Sequence, residues 1–161
     1  MAGRDGRFGI SAVPVSVLGH LLAIAIATLV LIWVLNFRGV ALNSNNKQKI
    51  FNVHPMLMVI GFILVGGEAI MAYKTIPSTR EAQKPVHAIL HLIALVVGAL
   101  GVYAVFKFHH ELNIRHMYTL HSWLGISTIS LFALQVMLEI PQYFGINSKA
   151  FAESRMLTAC F

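Results

Sequence analysis

Apolar residues run along the chain in four long blocks separated by short polar stretches, over about 13–37, 53–73, 85–108 and 118–140. At about 1.5 Å per residue, each block is long enough to cross a hydrocarbon layer of about 30 Å as a helix. The polar stretches are short, and short connections place consecutive helices antiparallel. The pattern therefore predicts an all-α membrane protein, an antiparallel bundle of four transmembrane helices. It divides into an N-terminal tail 1–12, a transmembrane domain 13–140 and a non-membrane C-terminal tail 141–161, which holds no run long enough to cross. Proline falls where it punctuates this pattern. Pro55 suits the first turn of the second helix, Pro85 opens the third, and Pro141 ends the fourth.

Composition sharpens the picture. The chain has 161 residues, 57% hydrophobic and only 11% charged, against about a quarter charged in a soluble domain. Its formal charge of +6 comes from twelve Lys and Arg set in the tails and short connections, with no basic run. Membrane anchoring and attraction of small anions explain them better than nucleic acid does. The single cysteine, Cys160, excludes an intrachain disulfide, and Thr158 stands where a prenylation box needs its cysteine. The first block is too long for a signal-peptide core and is followed by three more, so it reads as a retained helix. With the N-terminus cytoplasmic, Arg4, Arg7, Lys74, Arg80, Lys84, Lys149 and Arg155 share that side, against Arg38, Lys47, Lys49, Lys107 and Arg115 on the other. The positive-inside rule favours this orientation.

Histidines carry the candidate chemistry, because an imidazole inside the bilayer needs partners and commonly faces the bundle interior. His54 and His121 stand at the starts of the second and fourth blocks, which run in the same direction, so both lie at one membrane side. His87 opens the third block and lies at the opposite side, with His91 one turn deeper and His109 at the far end. His20 lies close enough to an interface to stay hydrated. Glu68, about 21 Å deeper than His54 along the helix, is either a functional acid or a carboxyl neutralised near the far interface. Gly61 and Gly125 follow the histidines of helices two and four, where they allow close helix approach or leave room for something flat. Zinc usually takes four ligands, or three plus water. Without a nearby cysteine, and with Glu68 as the acid within the spans, that set is hard to assemble. A haem iron needs only one or two axial ligands from the protein, and His54 with His121 meets that need. The alternative for each histidine is a packing role, hydrogen-bonded between helices.

At these residues the sequence resembles the cytochrome b561 family of ascorbate-dependent transmembrane electron carriers, most closely its plant branch. The matching elements are Phe51-Asn52-Val53-His54-Pro55, Gly66-Gly67-Glu68-Ala69-Ile70-Met71-Ala72-Tyr73-Lys74, Lys84-Pro85-Val86-His87, Lys107-Phe108-His109 and Leu120-His121-Ser122-Trp123-Leu124-Gly125. Their order and separations agree over roughly residues 15–140. The resemblance implies six helices and two b-type haems, one near each face. It makes His54 and His121 the axial pair of the non-cytoplasmic haem and His87 one ligand of the cytoplasmic haem. Lys84 and Arg80 resemble the cations that bind ascorbate, although positively charged loop residues need no such role. His109 resembles the residue beside the acceptor site for monodehydroascorbate or ferric chelates. Lys74 and Tyr118 match positions near haem propionates or edges. His91 is not counted as a ligand, since relatives carry another polar residue there.

The family pattern fades after Pro141, where a fifth helix should supply the partner of His87. A truncated gene model or splice product accounts for this most simply; a shortened protein working as an oligomer, such as a homodimer, is the other reading. The expected function is haem b-dependent electron transfer from cytoplasmic ascorbate to monodehydroascorbate or ferric chelates across an internal membrane, vacuolar or vesicular. The rivals are a non-catalytic one-haem membrane subunit and a proton or metal-ion transporter using Glu68. The absence of a second acidic ligand in the spans argues against the transporter.

Overall fold

In the computed structural model the described residues are 13–143; the tail 1–12 and the rest of the chain after Tyr143, including Lys149, Arg155 and Cys160, lie outside them. Among the described residues the chain is wholly helical and has four helices long and apolar enough to span a membrane. They are α1 (Val13–Arg38), α2 (Lys47–Thr75), α3 (Arg80–Glu111) and α4 (Leu120–Tyr143). The protein is an integral membrane protein in this sense.

Helix ends depart from the apolar blocks because polar residues extend the helices beyond the apolar windows. The second helix begins at Lys47, where the Asn46 side chain accepts from the Gln48 N–H at 3.1 Å, capping a free donor of the first turn. Pro55 is therefore inside α2, not in its first turn. It has no N–H to give, and the helix widens from regular α-helix into a π-helical stretch at Leu57–Leu64 before tightening again at Val65–Thr75. Pro85 likewise lies within α3, which starts at Arg80. Pro141 does not end α4, which runs on to Tyr143; a proline's fixed φ is helical, and its missing N–H takes away a single bond.

The centre of the bundle is α3, packed against α2 along much of its length and against α4 on another side. Its buried face is made of small residues, Ala94, Gly98, Gly101 and Ala104, with His91 among them. On α2, Gly61, Gly66, Ala69 and Ala72 are buried in turn. Small residues of this kind let helix backbones approach closely where lipid offers no hydrophobic drive. At Gly61 a Cβ would lie 1.9 Å from Val97 Cγ1, so only glycine fits. Gly125 differs, with nothing within 4 Å of where its Cβ would be.

Connections are pinned by polar side chains. Buried Asn52 donates to the Gly39 carbonyl at 3.0 Å and accepts from Gln48 at 3.2 Å. Gly39 itself has φ 69°, a conformation that glycine adopts freely. Buried Gln83 donates to the Ile76 and Ser78 carbonyls at 2.8 and 3.2 Å, closing the turn between α2 and α3. Thr119 Oγ1 accepts from the Ser122 N–H at 3.2 Å, capping α4 two residues before His121. The outward faces of α1 and α4 are apolar and exposed, from Leu18 and Leu29 to Leu124, Leu131 and Met137, which suits contact with lipid.

Candidate functional site

Alternation of helix direction sorts the polar side chains to the two ends of the bundle. At the end where α2 begins and α3 finishes, His54 and His121 face each other with ring centroids 6.3 Å apart and planes at 82°. His54 Nδ1 lies 2.9 Å from the Gly101 carbonyl of α3. A carbonyl only accepts, so Nδ1 carries the proton and Nε2 is left with its lone pair. This is how a metal-binding imidazole is commonly oriented, by a hydrogen bond at its other nitrogen. Gly101 makes the approach feasible, since a Cβ there would sit 3.1 Å from Met58 Sδ and 3.4 Å from Leu57 Cβ. The ring separation fits a metal between the imidazoles, each nitrogen about 2 Å from it, with the radius of each ring supplying the rest. The open space beside Gly125, one turn from His121, leaves room for a flat group on that flank.

Around this pair lie more aromatic groups. Phe51 packs on Phe108 at 5.1 Å, and His109 stands 5.5 Å from His116 and 6.3 Å from Tyr118. His116 stacks on Phe106 at 4.9 Å. Beyond them Glu111 pairs with Lys47 at 2.6 Å and Lys107 at 3.8 Å, and Lys107 also donates to Asn43. Asn43, Ser44, Asn45, Lys47 and Glu111 line an open polar recess of about 480 Å³; none of the histidines borders it.

The opposite end is built differently. His87 Nδ1 lies 2.7 Å from the Ala69 carbonyl of α2, again leaving Nε2 with its lone pair. Facing that nitrogen is the carboxylate of Glu139 from α4, at 3.9 Å. His91 is one turn along, its ring centroid 4.1 Å from that of His87, with Nδ1 3.2 Å from Glu139 Oε2. Only 2% of His91 is exposed, and its Nε2 has no hydrogen-bond partner. Gln135 donates to Glu139 Oε1 at 2.9 Å, and the Tyr73 ring lies 4.9 Å from His87. His91 touches both, so two imidazoles and a carboxylate form one close cluster at this end.

Several expectations meet this geometry with different outcomes. Lys74, Arg80 and Lys84 surround the α2–α3 connection at the His87 end, with Lys84 ion-paired to Glu81 at 2.7 Å. Glu68 is not an isolated acid: His20 of α1 lies 2.8 Å from its carboxylate, and the other His20 nitrogen is 3.0 Å from Thr75 Oγ1. Nor is it the only acid within the spans. Glu139 was overlooked because it sits near the end of the last apolar block; antiparallel alternation alone would have carried it to the side of His87.

Residues 53–158 match the family profile of eukaryotic cytochrome b561. The chain is 50% identical over 138 residues to a probable ascorbate-specific transmembrane electron transporter of rice, covering 84% of this chain and 59% of the relative. It is 48% identical over 127 residues to a transmembrane ascorbate ferrireductase of Arabidopsis thaliana, covering 78% of this chain and 53% of that protein. A plasma membrane ascorbate-dependent reductase of Xenopus laevis is 40% identical over 116 residues, 70% of this chain and 41% of its own. The chain thus spans less than two thirds of the length of each.

Proposed function

The chain belongs to the cytochrome b561 family, a family of haem proteins, and on that premise we propose that it is an ascorbate-linked electron carrier whose b-type haem is held by His54 and His121. The observation that carries this reading is the facing pair itself, with His54 oriented by the Gly101 carbonyl. His54 and His121 would hold the haem, which when bound would supply reversible one-electron chemistry. The helices position the rings, with His54 part-buried and His121 exposed at the edge of the bundle.

The relatives' names point to ascorbate as donor and to ferric iron as one acceptor. For this chain the cations at the α2–α3 connection, Arg80 and Lys84, suit an ascorbate anion on the cytoplasmic side. Each ascorbate releases one electron and one proton to become monodehydroascorbate. His109 would border the acceptor, monodehydroascorbate or a ferric chelate, on the other side, and Lys74 and Tyr118 would lie near propionates or haem edges. The orientation places the N-terminus in the cytoplasm, and the membrane is an internal one, vacuolar or vesicular. Full crossing of the membrane by this route calls for a second haem at His87, whose partner imidazole would come from a second copy of the chain in a homodimer.

The second reading is a one-haem membrane subunit that does not complete the crossing. It is favoured by Glu139 and His91, which take up the space before His87 Nε2. The haem-to-protein ratio of the detergent-purified chain, with oxidised and reduced spectra, separates the two. Two haems per chain support transmembrane transfer; one haem, lost in His54→Ala but kept in His87→Ala, supports the one-haem subunit. No haem under full haem supply removes the assignment.

A further inference from the structure

On the seam between α1 and α2, we propose that His20 and Glu68 form a proton-binding site that takes up one proton to balance an electron carried in the same end of the bundle. This role rests on the electron-carrier reading and uses a residue pair to which that reading gives no part. His20 Nδ1 lies 2.8 Å from Glu68 Oε2 and 3.0 Å from Oε1, and its Nε2 lies 3.0 Å from Thr75 Oγ1. Thr75 gives its own hydroxyl proton to the Met71 carbonyl at 2.9 Å, so towards His20 its oxygen accepts. Nε2 therefore carries a hydrogen, and Nδ1 and the carboxyl share one further proton. Both carboxyl oxygens approach Nδ1 almost equally, the arrangement of an imidazolium facing a carboxylate. Such a pair is neutral overall, which suits a place about 10 Å inside the end of α2, at 1.5 Å for each residue from Glu68 to Thr75.

The pair lies at the end of the bundle where ascorbate would give up its electron. Glu68 precedes Ala69, the residue whose carbonyl orients His87, and Thr75 is exposed at the end of α2, beside the α2–α3 connection. An electron added there is an uncompensated negative charge in a medium of low dielectric constant, where charges act more strongly than in water. A second proton on the pair offsets it. The carboxylate gains an O–H bond and becomes a neutral acid, and the imidazolium beside it is left carrying one positive charge. That proton comes from water at the cytoplasmic face, where each ascorbate sheds one proton with its electron, so atoms and charge balance. The other ionisable groups of the packed helices do not compete for the pair. Tyr73 of α2 packs on the His87 ring. Among the described residues Lys74 of α2 and Arg80, Glu81, Lys84 and His87 of α3 form no ion pair with His20 or Glu68.

The test uses the full haem-loaded chain in detergent and dicyclohexylcarbodiimide, an apolar reagent that modifies protonated carboxyls. Mass spectrometry reads the modification of Glu68, whose side chain is 34% exposed. In the oxidised chain at neutral pH labelling should be slow, because the carboxyl is ionised; reduction by ascorbate should speed it several-fold, and so should acidification. In His20→Phe the carboxyl is left alone in lipid and holds its own proton. Labelling should then be fast in both redox states, with haem content unchanged and the increase on reduction lost. Glu68→Gln should remove the label and so assigns it. A pair that only ties α1 to α2 labels equally slowly before and after reduction of the haem-loaded chain, and that result overturns the site. Labelling of His20→Phe that still rises on reduction overturns it as well. A chain that takes up no haem removes the electron-carrier reading, and acidification then decides the site separately. A several-fold rise in the unmodified chain, absent in His20→Phe, upholds the proton-binding pair; no such rise overturns it.

Discussion

The two ends of the bundle use the same device and arrive at different sites. At each end a histidine near a helix start gives its Nδ1 proton to a backbone carbonyl of the neighbouring helix, Gly101 for His54 and Ala69 for His87. Each therefore presents a bare Nε2. What stands opposite decides the rest. His121 faces His54 across a gap suited to a metal with an imidazole on each side, beside open space at Gly125. Before His87 stand a carboxylate and a second imidazole close enough to touch. The orientation of a ligand is thus a property of the α2–α3 pair, whereas the choice of cofactor depends on what α4 brings to each end.

The largest test of that contrast is removal of one axial ring. His54→Ala or His121→Ala should abolish haem binding, measured as loss of the reduced-state spectrum, while His87→Ala leaves it intact. Equal loss in all three variants would break the distinction between the ends. Next is the packing that holds α2 against α3. Gly61→Ala places a methyl against Val97 and should destabilise the folded chain by about 1–3 kcal/mol, the usual range for overpacking; thermal unfolding in detergent reads it. Because His54 leans on a carbonyl of the same helix pair, haem retention should fall with stability in that variant. His20→Phe removes the contact with Glu68 and should cost only about 0.6 kcal/mol, the average for polar contacts between membrane helices, with little change at either end. Smallest is Gly125→Ala, within about 0.5 kcal/mol for the chain without haem, since the added methyl meets nothing. A loss of haem affinity in that variant with unchanged stability would show that the space beside Gly125 belongs to the haem site.

Legibility differed sharply between residues. His54 and His121 could be paired from the chain alone, because two helices running the same way must put their starts on one side. The Gly61 and Gly125 parallel looked equivalent in sequence and is not: one glycine is a contact with Val97, the other an open flank. Glu68 looked like the acid to watch, yet it pairs with His20 across α1 and α2. Glu139 instead joins His87 and His91 in a close cluster of donor atoms among the described residues. Pro55 and Pro85 were read as helix starts, because apolar windows miss the polar turns of Lys47–Asn52 and Arg80–Lys84 that precede them.

By itself the sequence determined the number of spans, their alternation and the end of the bundle to which each histidine goes. Those follow from local hydrophobicity and chain direction, which no distant contact can alter. Only the tertiary structure decided which rings meet, which carbonyl fixes each tautomer, and that Glu139 rather than an imidazole faces His87. These depend on the rotation of each helix about its own axis. Uniformly apolar helices leave that angle almost unmarked in sequence, and it is set instead by where glycine and alanine let one backbone settle against another.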